Sequence, residues 1–286
     1  LMKKKLLKIS IVGKTNAGKS TLINGLIGET ISITNKKINT TEDLILGILN
    51  INENQLIFYD TPGLNYLKNI DKKKIKLKHN LWKGLDETDV ILYLIDVQKY
   101  NFDEISNNFK KLEETNKKII IIFNKNDLID KKLILPKIKE LDSKFKIDSF
   151  FSISAKKKLG LNKIKQYLIK ISYNSDWDYQ NNEISNKDDI FISNESTRNS
   201  ILSLLHKEIP YNIKITNKIF KYLKNGDLKI KQNIEINNIR YKKIILGKNG
   251  EKIKEIRIKS QNYLSKLFNN KVHLYIQIIK SNAEKI

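Results

Sequence analysis

Short apolar, β-branched runs alternate with longer amphipathic stretches through the first part of the chain: "LKISIVG", "KSTLINGLIG", "LILGILNI", "QLIFYD", "DVILYLID", "KKIIIIFN" and "FFSIS". A continuous apolar run such as "IIIIF" leaves a strand no solvent face. Such runs therefore predict strands covered on both sides, in the mainly parallel sheet of an α/β domain. "LILGILNINENQLIFYD" reads instead as a hairpin turning around Asn52 to Asn54, which supplies one antiparallel edge strand. "LNKIKQYLIKI" has helical spacing and closes this first domain, which the pattern bounds at residues 1–172.

The stretch "SYNSDWDYQNNEISNKDDIFISNE" that follows is polar, acidic and poor in aliphatics, so it predicts an interdomain linker over 173–195, with Trp177 and Tyr179 as candidates to tack it onto a domain. From residue 196 to 286 the pattern changes. A helix over "STRNSILSLLHKEI" is followed by two extended runs around "KNGD", a glycine-containing segment with helices, and the alternating strand "VHLYIQII". No internal repeat points to a solenoid.

With 286 residues the chain has room for two ordinary domains and a core that needs no staples. It has no cysteine, hence neither disulfides nor thiolate metal sites, and His79, His206 and His273 are too scattered in sequence for a ligand cluster. "LMKKKLLKISIVG" has the basic start and apolar run of a signal peptide, but Lys8 interrupts it and no small-residue cleavage site follows, so a buried strand explains it better. No segment approaches the roughly 18 apolar residues of a membrane span. The expectation is a soluble, cytoplasmic protein.

The formal net charge is +23, enough to attract polyanions, whether nucleic acid or an anionic membrane surface. Richness in Lys, Asn and Ile is also what an AT-rich genome encodes, so part of this charge is open to a compositional reading. Its distribution argues for function. From Ser196 onward there are 20 Lys and Arg against 6 Asp and Glu, and before it 34 against 25. The basic excess is concentrated in the C-terminal third, as a local binding surface requires.

"GKTNAGKS" fits the phosphate-binding pattern G-x-x-x-x-G-K-[ST] and lies between a predicted strand and a predicted helix. Gly13, Lys14, Thr15, Asn16, Ala17, Gly18, Lys19, Ser20 and Thr21 are thus candidate nucleotide-binding residues, the loop amides wrapping phosphates with the helix dipole behind them. Lys19 would bridge the β and γ phosphates and Ser20 would ligate Mg²⁺. In "YDTPG", Asp60 ends a strand where its carboxylate reaches Mg²⁺ through water, and Gly63 offers an N–H to the γ phosphate. "FNKND" selects the base: Asp127 accepts from N1–H and N2–H₂ of guanine, whereas adenine has no matching donor pair and leaves the carboxylate unsatisfied at about 1–3 kcal/mol. Asn124 would buttress the loop, Lys125 would lie along the base, and Ser154, Ala155 and Lys156 ("SAK") would supply an N–H to guanine O6. A turn after a strand is the alternative for Asn124 and Asp127, but the ordered succession of elements makes it remote. In "TNKKINTTED", Thr41, with Thr40 beside it, is the candidate to close Mg²⁺ coordination when the γ phosphate draws the segment in; a plain polar loop competes with this reading. Leu64 follows the D-T-P-G element where many small GTPases carry a water-orienting glutamine, which predicts slow intrinsic GTP hydrolysis.

A second glycine pair, Gly247 and Gly250, stands in "IILGKNGEKIKEI". It lacks the Lys-Ser ending, so it does not suit a nucleotide with Mg²⁺. Glycine allows close backbone approach, Lys248 adds charge, and the following helix is expected to turn Ile253 and Ile256 inward with Lys252, Lys254 and Arg257 free to meet nucleic acid. Gly247, Lys248, Asn249, Gly250, Lys252 and Lys254 are the candidate RNA-binding residues. A short GxxG before a solvated lysine-rich helix is the bland alternative.

"GKTNAGKSTLINGLIG", "ISITNKKINTTED", "DTPGL", "NKND", "SAK", "KEIPY" and "GKNGEKIKEI" together resemble the Era GTPases over nearly the whole chain. The G motifs are common to many GTPases, and their combination with a downstream GxxG is far more specific. The resemblance implies a P-loop G domain followed by an α+β type II KH domain, which clamps single-stranded nucleic acid at its GxxG loop. It implies GTP or GDP with Mg²⁺, and a switch that binds the 3′ end of 16S rRNA and assists assembly of the 30S subunit, with a peripheral contact to the inner membrane surface. In such proteins an asparagine at the position of Asn16 is associated with K⁺ acting where an arginine finger would; an asparagine that merely satisfies loop geometry is an equally open reading. Lys19, Asn16, Thr41 and Gly63 are thus the candidate catalytic set. "EDLILG" replaces a usually basic stretch, and Lys14-Thr15 replaces a common Arg-Pro, departures that bear on rates and affinities. The competing function is a membrane-surface adaptor, its basic C-terminal domain on anionic lipid and GTP bound only for stability; "NKND" disfavours an ATPase or kinase.

Overall fold

The computed structural model describes residues 3–28, 45–61, 79, 81–181, 183–205 and 213–280. Thr40, Thr41, Gly63, Leu64 and the "KEIPY" stretch lie outside them. The chain divides into two units, Leu1–Asn186 and Lys187–Ile286.

Unit 1 runs β1 (Lys5–Gly13), α1 (Lys19–Ile27), β2 (Ile45–Ile51), β3 (Asn54–Asp60), β4 (Val90–Asp96), α2 (Phe102–Glu113), β5 (Lys118–Asn124), α3 (Ile134–Asp142), β6 (Ser149–Ser152), α4 (Leu161–Ile171) and β7 (Tyr173–Asn174). The sheet order is β2-β3-β1-β4-β5-β6. β1, β3, β4, β5 and β6 are parallel, and β2 is the antiparallel edge, turning into β3 at Asn52 with φ 50°. β3 and β4 are buried from end to end, as strands between helical layers must be. The apolar faces of α2 and α3, through Phe109 and Leu141, pack with Tyr93, Ile121 and Phe123. Parallel register brings Gly13, Asp60, Asp96 and Asn124, all strand-terminal residues, to the same end of the sheet, the end where open α/β sheets bind ligands.

The segment expected as a linker over 173–195 is instead shared between the two units. Tyr173–Asn174 form β7, a second antiparallel element, paired with β1. Beyond it Trp177 Nε1 donates to the carbonyls of Lys5 (3.1 Å) and Glu53 (3.2 Å). Gln55, fully buried on β3, accepts at Oε1 from the N–H of Asp178 (2.9 Å) and Tyr179 (3.1 Å) and donates to the Tyr179 carbonyl (3.0 Å). Further on, Ile48 N–H donates to Ile184 O (2.9 Å) and Ser185 Oγ to Leu46 O (2.7 Å), so the strap covers part of the open edge of β2.

Unit 2 runs α5 (Asp189–Leu204), β8 (Lys214–Tyr222), β9 (Leu228–Ile236), α6 (Ile239–Leu246), α7 (Glu251–Leu267) and β10 (Val272–Lys280). Its sheet order is β10-β9-β8, with β8 antiparallel and β10 parallel to β9. This is the αββααβ succession of a type II KH domain. α5 begins at Asp189, inside the expected linker, because Asp188 caps it by accepting from Phe191 N–H at 2.7 Å. Among the described residues no helix is long and apolar enough to cross a membrane.

Replacing Gln55 by Ala removes the partner of two part-buried backbone N–H groups of the strap, and at about 0.5–1 kcal/mol each should lower the stability of unit 1 by about 1–2 kcal/mol. Urea unfolding followed by hydrogen exchange should show amides 178 and 179 losing protection first. Protection equal to wild type would mean that Gln55 does not hold the strap.

Candidate functional site

The loop after β1 curls over the sheet end, and its geometry depends on residues without a Cβ in two places. At Gly13 a Cβ would lie 2.4 Å from the Leu94 carbonyl oxygen. At Gly18, with φ 103°, it would lie 2.4 Å from Asn124 Nδ2. Asn16 at the loop tip also takes a left-handed conformation, φ 67°, which asparagine tolerates. Lys14 pairs with Glu104 on α2. Thr15 completes the loop, and Thr21 lies in the first turn of α1.

Lys19 opens α1 and is only 7% exposed. Its ammonium donates to the carbonyls of Gly13 (3.2 Å) and Lys14 (3.1 Å). Burial lowers its pKa to about 8, against a smaller opposing pull from Asp60. A desolvated cation folded back on loop carbonyls is poised to exchange them for phosphate oxygens. Next to it Ser20 Oγ donates to Asp60 Oδ2 at 2.8 Å, and Asp60 is 2% exposed. One hydroxyl and one carboxylate in contact fit the hard oxygen sphere of Mg²⁺ when phosphates and water complete it. Among the described residues no group of three or more His, Asp or Glu forms a cage of its own. Thr41 and Gly63, the other residues expected at this point, lie outside the described residues.

Asn124 is 2% exposed and spans two loops. Its Nδ2 donates to Ala17 O at 2.8 Å and its Oδ1 accepts from Ala155 N–H at 2.9 Å. Lys125, φ 65°, extends back across the first loop, its ammonium donating to Asn16 O at 3.0 Å and pairing with Asp96. Asp127 stands in ion-pair range of Lys157, at 3.3 Å. A hydrogen bond from Ser154, then this lysine, hold its carboxyl below the usual carboxylate range, which keeps it the acceptor that guanine requires. Ser154 and Ala155 commit their N–H groups to Leu159 O (3.1 Å) and Asn124 (2.9 Å). Of the three residues expected to offer an N–H to guanine O6, these two are engaged within the protein.

Asp96, Lys157 and Glu104 escaped the sequence reading. Asp96 had a visible signal, since "LID" ends a strand as "FYD" and "IFN" do, and the register sets Asp96 beside Asn124. Glu104 and Lys157 had none, because their partners are brought near only by the fold.

In unit 2 the second glycine pair forms the turn between α6 and α7. Gly247 (φ 69°), Asn249 (φ 52°) and Gly250 (φ 78°) all have positive φ; Asn249 and Gly250 are left-handed, while Gly247, with ψ −177°, takes an extended conformation open essentially to glycine alone. At Gly247 a Cβ would meet Lys252 Cγ at 2.5 Å, whereas beside Gly250 there is open space within 4 Å. Lys248, Asn249 and Lys254 are exposed, and Ile256 is fully buried. Lys252 differs from expectation: its stem covers Gly247 and its ammonium pairs with Glu255 at 3.1 Å, so it is not free. Arg257 likewise donates to Gln261 Oε1 at 3.2 Å.

These loops and their two scaffolds define a P-loop GTPase unit joined to a KH unit. The pattern of the 50S ribosome-binding GTPase family matches residues 8–125, and that of the KH domain residues 208–284. The chain is 35% identical to GTPase Era of Ehrlichia canis, over 93% of its own length and 90% of that protein's. It is 36% identical to GTPase Era of Rickettsia conorii, over 95% and 79% respectively. A crystal structure of Era in complex with MgGDPNP and nucleotides 1506–1542 of 16S ribosomal RNA matches with a TM-score of 0.80 at 30% identity, covering 98% of this chain and 95% of that one. Aquifex aeolicus Era bound to GDP and AlF4⁻ matches with a TM-score of 0.80 at 29% identity, covering 99% and 95%. The chain belongs to the Era GTPase family, and it is a GTPase.

Asn124→Ala removes one partner from each of two groups, Ala17 O and Ala155 N–H. At about 1–3 kcal/mol for each buried group left unsatisfied, unit 1 should lose about 2–6 kcal/mol in urea unfolding and bind GDP at least tenfold more weakly. Unchanged affinity would show that the bridge does not shape the loop.

Lys19 has its pKa lowered from 10.5 to about 8 in the folded, nucleotide-free protein. Between these values the unfolded chain holds more proton, so stability rises with pH across the window, and below about 8 the cost of the buried charge is fully present, at about 3 kcal/mol. Nucleotide-free Lys19→Met should therefore be more stable than wild type at pH 7, by up to about 3 kcal/mol, with the gap closing as pH rises from 8 to 10. A gap independent of pH would refute the depressed pKa.

Proposed function

We propose that this GTPase binds the single-stranded 3′ end of 16S rRNA at its GxxG loop under control of GTP and GDP, and assists assembly of the small ribosomal subunit in the cytoplasm. The observation that carries the reading is the open space beside left-handed Gly250, flanked by exposed Lys248 and Asn249 at the start of α7. Among the described residues nothing there hinders close approach of a nucleic-acid backbone, and the positive end of the helix favours its phosphates. The related Era protein crystallised with 16S rRNA supports the choice of RNA.

In unit 1, Lys19 turns its ammonium from the Gly13 and Lys14 carbonyls to the β and γ phosphates, while the loop amides hold the phosphate chain in line. Ser20 and Asp60 would hold Mg²⁺, with Thr41 as the further candidate ligand, and the ion would supply neutralisation of the negative charge on the phosphates. Asp127 fixes guanine, Lys125 covers it and Lys156 donates to O6. Leu64 has no group with which to orient water, so intrinsic hydrolysis is slow. The GTP state therefore persists long enough to act as a switch.

Lys248→Asp combined with Asn249→Asp keeps residues that tolerate the loop's backbone yet reverses its charge. Affinity of the full chain for a 16S 3′-end oligonucleotide should fall at least a hundredfold in filter binding, with GTP turnover intact. Unchanged affinity in the double variant would remove this loop from the RNA site.

A further inference from the structure

The helices of unit 2 all pack on one face of its sheet, through Ile230, Ile234 and Leu274. The register assigns the residues between them to the other face, in four rungs across β8, β9 and β10: Lys221, Lys229 and His273; Ile219, Lys231 and Tyr275; Thr216, Asn233 and Gln277; Lys214, Glu235 and Ile279. A bulge between Asn217 and Ile219 keeps the two ends of β8 in step with this alternation.

The character of this second face is specific. Tyr275 is a large ring on a central part of β10 and is 53% exposed. Lys229 stands over the ring, with its ammonium 5.7 Å from the centroid, and Lys231 is its direct neighbour across β9. Four lysines on the face oppose one carboxylate, Glu235, which accepts from Thr216 Oγ1 at 2.7 Å. Asp227, in the β8–β9 turn, is engaged by His273 Nε2 at 2.7 Å. The rung next to Tyr275 holds two amides: Asn233 is buried, while Gln277 is exposed and its side chain can both donate to and accept from a base edge.

We propose that this outer sheet face is a second contact for single-stranded RNA, with a base stacked on Tyr275, the backbone along Lys229, Lys231 and Lys221, and a base edge on Gln277. An exposed aromatic on a basic sheet is a sufficient platform for unpaired bases, because every base has a π face and the lysines neutralise phosphates. A lipid surface fits less well. It needs contiguous apolar area, and Ile219 and Ile279 are separated by the amide rung. The proposal shares with the GxxG reading only the class of ligand.

The test compares the full chain with the triple variant Lys229→Gln, Lys231→Gln, Tyr275→Ala, using labelled single-stranded RNA of 6 and about 20 nucleotides. All three side chains are at the surface, and thermal unfolding verifies the fold. The expected result is at least tenfold weaker binding of the long RNA, unchanged binding of the short one, and a log K against log salt slope shallower by about 1.4, since two phosphates are no longer neutralised. Tyr275→Phe alone should retain affinity, since stacking needs the ring and not the hydroxyl. Equal binding of the long RNA by wild type and triple variant overturns the proposal, as does a loss confined to phosphatidylserine vesicles, which would make the face a lipid contact. The Lys248→Asp, Asn249→Asp variant is run beside it. Should that variant bind both lengths normally, the GxxG reading fails, while the sheet face is still judged by the triple variant.

Discussion

The nucleotide site depends on one amide. Asn124, at the end of β5, ties the Ala17 carbonyl of the first loop to the Ala155 N–H of the last one, at 2.8 and 2.9 Å. These segments are far apart in sequence and have no sheet ladder between them. Gly18 lacks a side chain for the same reason, since a Cβ there would collide with the amide at 2.4 Å. The pair is jointly determined: the glycine lets the asparagine in, and the asparagine fixes where the loop amides point. Because all of this is buried, each hydrogen bond is strong and each unmade one is costly.

The two glycine loops solve opposite electrostatic problems. The first holds its cation inside, where Lys19 is stripped of water and titrates near 8. Such a charge is costly until phosphates arrive, which makes the empty site responsive to its ligand. The second leaves Lys248 and Lys254 in water and uses backbone geometry for closeness. Solvated lysines attract at long range and are weakened by salt, as befits a polymer that must be captured and released. Loops that look alike in sequence therefore differ in the dielectric around their cations.

Much of this was legible because the strands of unit 1 are buried on both faces. Runs such as "IIIIF" have a single plausible setting, and the loops that carry chemistry follow directly from the ends of those strands. The expected linker shows where such reading stops. The side of α5 that faces the rest of unit 2 carries Ser193, Glu195, Ser196, Thr197 and Ser200 beside Ile192 and Ile201, all buried, so a count of apolar positions starts the helix only at Ser196 and not at Asp189. Of the preceding strap only the rings of Trp177 and Tyr179 are legible as anchors, since Trp177 and the backbone of residues 178 and 179 bind through hydrogen bonds to Lys5, Glu53 and Gln55 and not through an apolar stripe. Lys252 was misjudged for a third reason. Helical spacing shows which residues share a face, but not that a glycine in the turn before the helix lets a lysine stem lie across it.

Gln232 explains why a polar helix face can be buried at all. It lies on the inner side of β9, between Ile230 and Ile234, fully buried. Thr197 Oγ1 donates to its Oε1 at 2.7 Å, and its Nε2 donates to Ser193 Oγ at 3.2 Å and Asn194 Oδ1 at 3.1 Å. With the amide satisfied from one helix, α5 has a single register on the sheet, because any slip would orphan several buried polar atoms together. Apolar contact alone would tolerate such sliding. This polar seam lies between two apolar clusters, one around Ile234 and Ile256 and the other around Ile230 and Leu264. With the inner face specified in this way, the outer face carries less of the packing: Asn233 is buried there, whereas Lys221, Tyr275 and Gln277 are exposed and meet solution.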